Sequence, residues 1–173
     1  MNDLLDVAAA RSGGMVLSFA AVDMSDVVRT VVDEMVPVAN EKDVELIGPI
    51  KYKHGLVVNG DEIRLCQVLQ NLVSNAIKAT PPGKKVRVKA ARKNGNVLVS
   101  VSNPGELAES IQVSLFEPFR KSAASGYRTG AGLGLTVVHA LVQAHQGSVE
   151  AISHRKQVVF TFTIPLWGKA GRQ

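Results

Sequence analysis

The chain has 173 residues, 46% hydrophobic and 20% charged, a balance that excludes an intrinsically disordered chain and leaves room for one domain with a real core. The formal net charge of +5 and the pI near 9.5 favour anionic partners such as nucleotide or phosphorylated protein. The basic residues, however, are scattered through "KYK", "GKKVRVKAARK", "FRKS" and "SHRK" among only eight aromatics, which argues against nucleic acid.

A single cysteine, Cys66, excludes an internal disulfide and agrees with a reducing compartment. No run reaches the about 18 apolar residues of a membrane span, and the first residues lack the charged-then-apolar order of a signal peptide. The expectation is a cytoplasmic domain without membrane contact of its own.

Residues 1–22 open with an apolar, alanine-rich stretch that breaks at Gly13 and Gly14, as the tail of a preceding helical domain and a linker would. From Asp23 or Ser25, both candidate N-caps, Val27, Val28, Val31, Val32, Met35 and Val36 recur at helical spacing and predict an amphipathic helix. Two short β-like pieces follow, "VELIG" and "GLVVNG", and then a helix containing "QVLQNLVSNAIKAT". The runs "KKVRVKAAR" and "NVLVSVSN" alternate with a period of two and meet at Asn94 and Gly95, a hairpin turn.

Residues 104–131 carry no sustained period and predict a long loop with one short helical piece around "SIQVSLF"; loops of this length in a compact domain are usually functional. The glycine-rich "TGAGLGL" leads into a helix running to about Gln146, with Gly147 as its expected terminator, and "GSVEAIS" and "QVVFTFTIP" supply two more strands. This order predicts an α+β fold, a two-layer sandwich of about three helices on one face of a mixed, largely antiparallel sheet. The compact domain is expected to span 23–167, with 168–173 a disordered tail.

Three features carry chemistry. On a helix, Asn71, Asn75 and Lys78 fall on one polar stripe with Gln67 a turn earlier, beside an apolar stripe of Leu65, Leu69, Leu72, Ala76 and Ala79. A solvated face would more often carry Glu and Lys, since Asn is a mediocre helix former. Neutral amide oxygens suit Mg²⁺ that already carries nucleotide phosphates, and a nearby ammonium neutralises phosphate charge.

Secondly, Gly130, Gly132 and Gly134 stand at alternate positions before a helix, where backbone N–H groups can approach an anion; a flexible loop with a capping glycine fits the same letters. Thirdly, Asn103 ends a strand just before Pro104 and Gly105. Its amide can accept from an adenine amino group and donate to the neighbouring ring nitrogen, while "NPG" is equally a good turn.

In order, "NLVSNAIKAT", "VSNPGE", "LFEPF" and "GAGLGL" resemble the N, G1, F and G2 boxes of the catalytic ATP-binding domain of sensor histidine kinases, members of the superfamily that includes gyrase B and MutL. The resemblance covers about residues 23–166 and implies the Bergerat-type ATP-binding fold with ATP and Mg²⁺ as cofactors. It implies that Asn75 coordinates Mg²⁺ and Lys78 contacts phosphate. Asn71 stands where hydrolysing relatives carry a glutamate base, so the site should hold ATP for transfer rather than activate water.

By the same resemblance, Phe116 and Phe119 anchor the lid, and Gly130, Gly132, Gly134 and Leu135 form its hinge and phosphate-facing loop. Two departures stand out: Asn103 replaces the adenine-binding aspartate, and Leu107 replaces the second glycine of the G1 box. None of His54, His139, His145 or His154 is followed by an acidic residue, so the phosphoacceptor is expected on a separate dimerisation domain. The implied partners are that histidine-phosphotransfer domain and a response-regulator receiver domain, in a phosphorelay, with the fragment itself monomeric. The contrasting readings are a degenerate module that no longer binds ATP and serves as a docking or phosphotransfer scaffold, and a kinase directed to serine.

Overall fold

The structure, a computed structural model, describes residues 16–49, 55–108, 115–116 and 133–168. The first helix, α1 (Met24–Asn40), begins where expected: the Asp23 carboxylate accepts from the Ser25 N–H at 2.9 Å, satisfying one of the orphan donors of the first turn. Val27, Val28 and Val31 are wholly buried on its inner face. The second helix, α2 (Glu62–Ala79), is capped in the same way by Asp61, whose Oδ1 accepts from Arg64 N–H at 3.2 Å. The third, α3 (Gly134–Ala144), starts at Leu133 without a side-chain cap.

The main sheet has the order β2-β4-β5-β7-β6, with β2 (Glu45–Ile47) parallel to β4 (Lys85–Lys93), and β5 (Asn96–Pro104), β7 (Gln157–Pro165) and β6 (Ser148–His154) antiparallel. Alternation divides its faces. Val86 and Val88, then Val97, Val99 and Val101, then Val158, Phe160, Phe162 and Ile164 are buried, while Arg87 and Lys89 are exposed on the other side. Each fully buried Val, Leu or Phe side chain is worth about 1.5–3 kcal/mol, so this apolar layer between sheet and helices is the principal source of stability. The expected α+β sandwich, with helices on one face of a mixed, mostly antiparallel sheet, is what the chain forms.

Three local features differ from expectation. Residues 20–23 form a strand, β1 (Ala20–Asp23), pairing with β3 (Val57–Gly60) in a separate two-stranded sheet. A four-residue "AAVD" carries no β signal; it is held by its partner, which is itself tied to the end of β7 through Trp167 N–H to Val57 O at 2.8 Å.

At the end of α3 the left-handed residue is Gln146 (φ 59°), not Gly147. Gly147 is glycine for another reason: a Cβ there would lie 1.9 Å from the Thr163 carbonyl oxygen. The third is the β6–β7 turn, where Arg155 (φ 49°) and Lys156 (φ 60°) take the left-handed pair of positions. Asn94 (φ 51°) and Gly95 (φ 80°) occupy the equivalent places at the β4–β5 turn, as their chemistry predicts.

Candidate functional site

Helices α2 and α3 run antiparallel, and two contacts mark the ends of their shared length. At one end the N-cap of α2 meets the C-cap of α3: Asp61 N–H donates to His145 Nε2 at 3.0 Å. At the other, Asn71 faces the first residue of α3, with its Oδ1 3.6 Å from the place a Cβ on Gly134 would occupy. The rise of a helix agrees, since Asp61 to Asn71 spans about 15 Å and Gly134 to His145 about 16 Å. The structure thus brings Asn71, from the polar stripe of α2, to Gly134, the last of the three glycines and the first residue of α3.

Asn71 Nδ2 is buried and, among the described residues, has no hydrogen-bond partner. An unsatisfied buried donor of this kind costs about 1–3 kcal/mol, so its persistence calls for a ligand or a strain argument. The first-turn N–H groups of α3 lack a side-chain cap beside it, and helix N-termini attract anions. A donor amide next to an uncapped helix start is an arrangement suited to a phosphate oxygen.

Along α2, Asn75 is buried and Lys78 exposed, with Lys78 the basic residue of the last turn. Asn103 stands on β5, a strand that packs on α2, and shares its buried face with Val97, Val99 and Val101. It is 1% exposed, and its Nδ2 donates to the Pro104 carbonyl at 2.9 Å. Gly105 follows at φ 152°, a conformation open to glycine, with its N–H donating to Lys156 O at 3.0 Å. Leu107 is buried in the core, its N–H bonded to Ser153 Oγ at 3.1 Å, so the side chain that replaces a glycine is used for packing.

Phe116 is partly buried against the core, its ring 5.9 Å from His139 of α3 and stacked at 28°, and 6.5 Å from Phe160 edge-on at 89°. The expected lid anchor is therefore fastened to α3 and β7. Leu135 packs partly buried against the same core. Phe119, Gly130 and Gly132 lie outside the described residues, as do residues 110–114 of the helical piece expected around "SIQVSLF", whose Leu115 and Phe116 form a turn, and the terminal segments 1–15 and 169–173.

Sequence reasoning missed two residues. His145 reads as a surface or partly buried histidine without a role, and it is 3% exposed; its Nδ1–H donates to Leu141 O at 2.7 Å, which fixes Nε2 as an acceptor. Burial holds its pKa below the ordinary 6.5, against the pull of the Leu141 carbonyl and the Asp61 carboxylate. The signal was its place directly after the last apolar residue of a helix, where carbonyls need donors. Thr136, also unmarked, is buried, and among the described residues its Oγ1 has no partner.

Cys66 is half-buried, and burial, with smaller contributions from the Glu62 and Glu34 carboxylates, pushes its thiol up to about 11, so it is no nucleophile. Among the described residues no three His, Cys, Asp or Glu side chains gather to hold a metal, and no helix is long and apolar enough to cross a membrane.

The sequence pattern of histidine kinase-, DNA gyrase B- and HSP90-like ATPases matches residues 60–168, which include the Asn71 helix, Asn103 and Gly134. The chain belongs to this family. It is 34% identical over 176 residues to the autoinducer 2 sensor kinase/phosphatase LuxQ of Vibrio parahaemolyticus, covering 96% of this chain and 20% of that protein.

Among solved structures, full-length ShkA in complex with AMPPNP superposes with a TM-score of 0.80 at 32% identity, over 95% of this chain and 35% of that one. The catalytic domain of the histidine kinase ThkA superposes with a TM-score of 0.75 at 28% identity, over 86% of this chain and 96% of that one. ThkA has also been solved with the response regulator protein TrrA. The chain thus corresponds to nearly a whole catalytic domain, and to about a fifth of the length of LuxQ.

Proposed function

We propose that this domain binds Mg-ATP between α2 and the glycine-rich entry to α3 and presents the γ-phosphate to a histidine on the dimerisation domain of the same kinase. The observation that carries this reading is the unpartnered Asn71 Nδ2 beside the uncapped start of α3. ShkA, a relative similar over 95% of this chain, was solved with AMPPNP, a non-hydrolysable ATP analogue.

Asn71 then donates to a phosphate oxygen, and with an amide in place of a carboxylate base the site leaves water unactivated. Asn75 supplies a neutral oxygen of the kind Mg²⁺ takes when phosphates and waters fill its other positions. That ion, when bound, neutralises phosphate charge. Lys78, exposed at the end of the same stripe, adds a mobile positive charge for the polyphosphate. Asn103 meets the base at the end of β5, and Phe116 anchors the segment that continues through Phe119 to the glycines 130, 132 and 134. Little covalent work falls to these residues; they position and neutralise.

The phosphate passes from the histidine to an aspartate of a response-regulator receiver domain, consistent with the structure of ThkA in complex with TrrA. The domain acts in the cytoplasm and, on its own, as a monomer. A docking scaffold without ATP is the second reading, favoured by Asn103, which stands in place of the expected aspartate, and by Leu107, whose buried side chain stands in place of a glycine of the expected base-binding turn.

Calorimetric titration with ATP and Mg²⁺ decides between them. Binding in the micromolar to sub-millimolar range, weakened about tenfold or more in Asn75→Ala, is expected. Absence of heat from the intact chain at millimolar ATP overturns the kinase reading in favour of the scaffold.

A further inference from the structure

The two contacts between α2 and α3 lie on one rigid lever, and only one of them reaches the site. His145 closes the far end with a single ring. Its Nδ1–H satisfies the Leu141 carbonyl in the last turn of α3, and its Nε2 accepts the Asp61 N–H at the N-cap of α2. Gly60 keeps the approach open, since a Cβ there would fall 2.6 Å from Leu65 Cδ1 and 3.1 Å from His145 Cδ2.

We propose that His145 is a positioning residue for the nucleotide site: by tying the N-cap of α2 to the last turn of α3, it sets the register that places Asn71 against Gly134. The inference rests on the nucleotide-binding reading above for its consequence, though its geometry does not.

A helix transmits such a constraint along its length because packed interfaces shift in discrete steps rather than deforming continuously. If the ring's bond to Asp61 is lost, an N–H at the start of α2 and the capped end of α3 lose their common partner. The apolar contacts that remain between the two helices are non-directional and fix the register less tightly.

The same knot receives the chain entering the domain. Ser18 N–H donates to Asp61 Oδ2 at 2.9 Å, and the Phe19 ring lies 5.3 Å from the His145 ring. Tension on the entering chain therefore acts on the same α2–α3 register.

Protonation gives a way to test this without a mutation. A proton on Nε2 turns the acceptor toward the Asp61 N–H into a donor, which breaks the tie. Asp61 is the charged group acting on the ring. Its carboxylate is already engaged by the Ser18 and Arg64 N–H groups, and the Arg64 guanidinium is turned along α2 to Gln67 Oε1 at 2.8 Å. Ser18, Phe19 and Gly60, from the other elements around it, bring no charge.

The experiment compares the intact chain with His145→Phe and His145→Gln in two measurements: Mg-AMPPNP affinity from about pH 5 to pH 8, and amide exchange at Val137, whose N–H donates to Leu133 O in the first turn of α3. His145→Phe keeps a ring beside Phe19 but neither hydrogen bond, and is expected to weaken affinity about tenfold while speeding Val137 exchange relative to the sheet. His145→Gln, with a donor and an acceptor and no titration, is expected to recover most of the affinity. It should also lack the extra acid loss expected of the intact chain, the nucleotide's own titration cancelling between the two.

An unchanged affinity in His145→Phe together with exchange raised uniformly over the domain assigns His145 to stability alone and overturns the proposal. Should His145→Phe fail to fold, the difference in pH profile between the intact chain and His145→Gln decides, and identical profiles overturn it. If no variant binds nucleotide, the functional reading falls instead. The Val137 exchange then still decides whether His145 governs the start of α3.

Discussion

The two ends of the α2–α3 pair are finished in opposite ways. At the Asp61–His145 end the polar atoms close on one another: two helix termini, one imidazole and the entering chain. At the Asn71–Gly134 end, among the described residues, a buried amide donor has no partner and the helix start has no side-chain cap. One pair of helices thus carries a saturated end and an unsaturated one. An unsaturated end is what a ligand site requires before its ligand arrives, and a saturated end is what holds that site still.

The largest expected effect comes from forcing atoms into the saturated end. Gly147→Ala puts a Cβ 1.9 Å from the Thr163 backbone oxygen and 3.0 Å from both Ile164 Cδ1 and Val142 Cγ1. The close neighbour is backbone and cannot rotate away, so a loss of about 3 kcal/mol is expected, read as a lower urea midpoint with an unchanged slope. A variant as stable as the parent would show that the α3–β6 connection is looser than described.

Opposite in sign is the change at the unsaturated end. Asn71→Leu removes the orphaned donor and fills the same space with apolar atoms, and should stabilise the free domain by about 1–2 kcal/mol. The same substitution should abolish measurable Mg-ATP binding. Gain of stability with loss of binding separates the two ends cleanly, whereas a stability loss would mean that Asn71 has a structural partner after all.

His145 lets the saturated end be opened by acid. Its pKa is held below 6.5 by burial, so the unfolded chain takes up a proton more readily than the folded one. Stability is therefore full above about pH 6.5, falls as pH drops from there to the depressed folded value, and levels off below it. Denaturation midpoints measured across that range in the intact chain and in His145→Gln should differ by a constant amount above about pH 6.5 and by a changing amount below it.

Much of this architecture was legible in the letters. The first two helices follow from valine and leucine spacing, with Asp23 as the cap of the first, and the third from its glycine-rich entry; the β4–β5 hairpin follows from Asn94–Gly95. What escaped was set by partners distant in sequence. β1 is a strand because β3 pairs with it, and Arg155–Lys156 makes a left-handed turn because the β6–β7 register demands one. His145 escaped because its role depends on a residue 84 positions away. At the site, Asn71 and Gly134 belong to separate motifs, and only the antiparallel packing of two helices shows that they touch.

Thr136 provides the smallest and most selective test of the contrast. Its Oγ1 is buried and unpartnered like Asn71 Nδ2, yet it sits two residues past Gly134 on α3. At about 100° per residue that places it well around the helix from the glycine that faces Asn71. A hydroxyl without a partner is destabilising wherever it lies, so Thr136→Val, which keeps the shape and removes the polar atom, should raise stability by about 1 kcal/mol. If the unsatisfied atoms of this region are simply tolerated flaws, Asn71→Leu and Thr136→Val will behave alike, both stabilising and neither touching nucleotide affinity. If the Asn71 donor is kept for a phosphate oxygen, only the Asn71 substitution will carry a loss of binding, and a parallel titration of the two variants with Mg-ATP tells these outcomes apart.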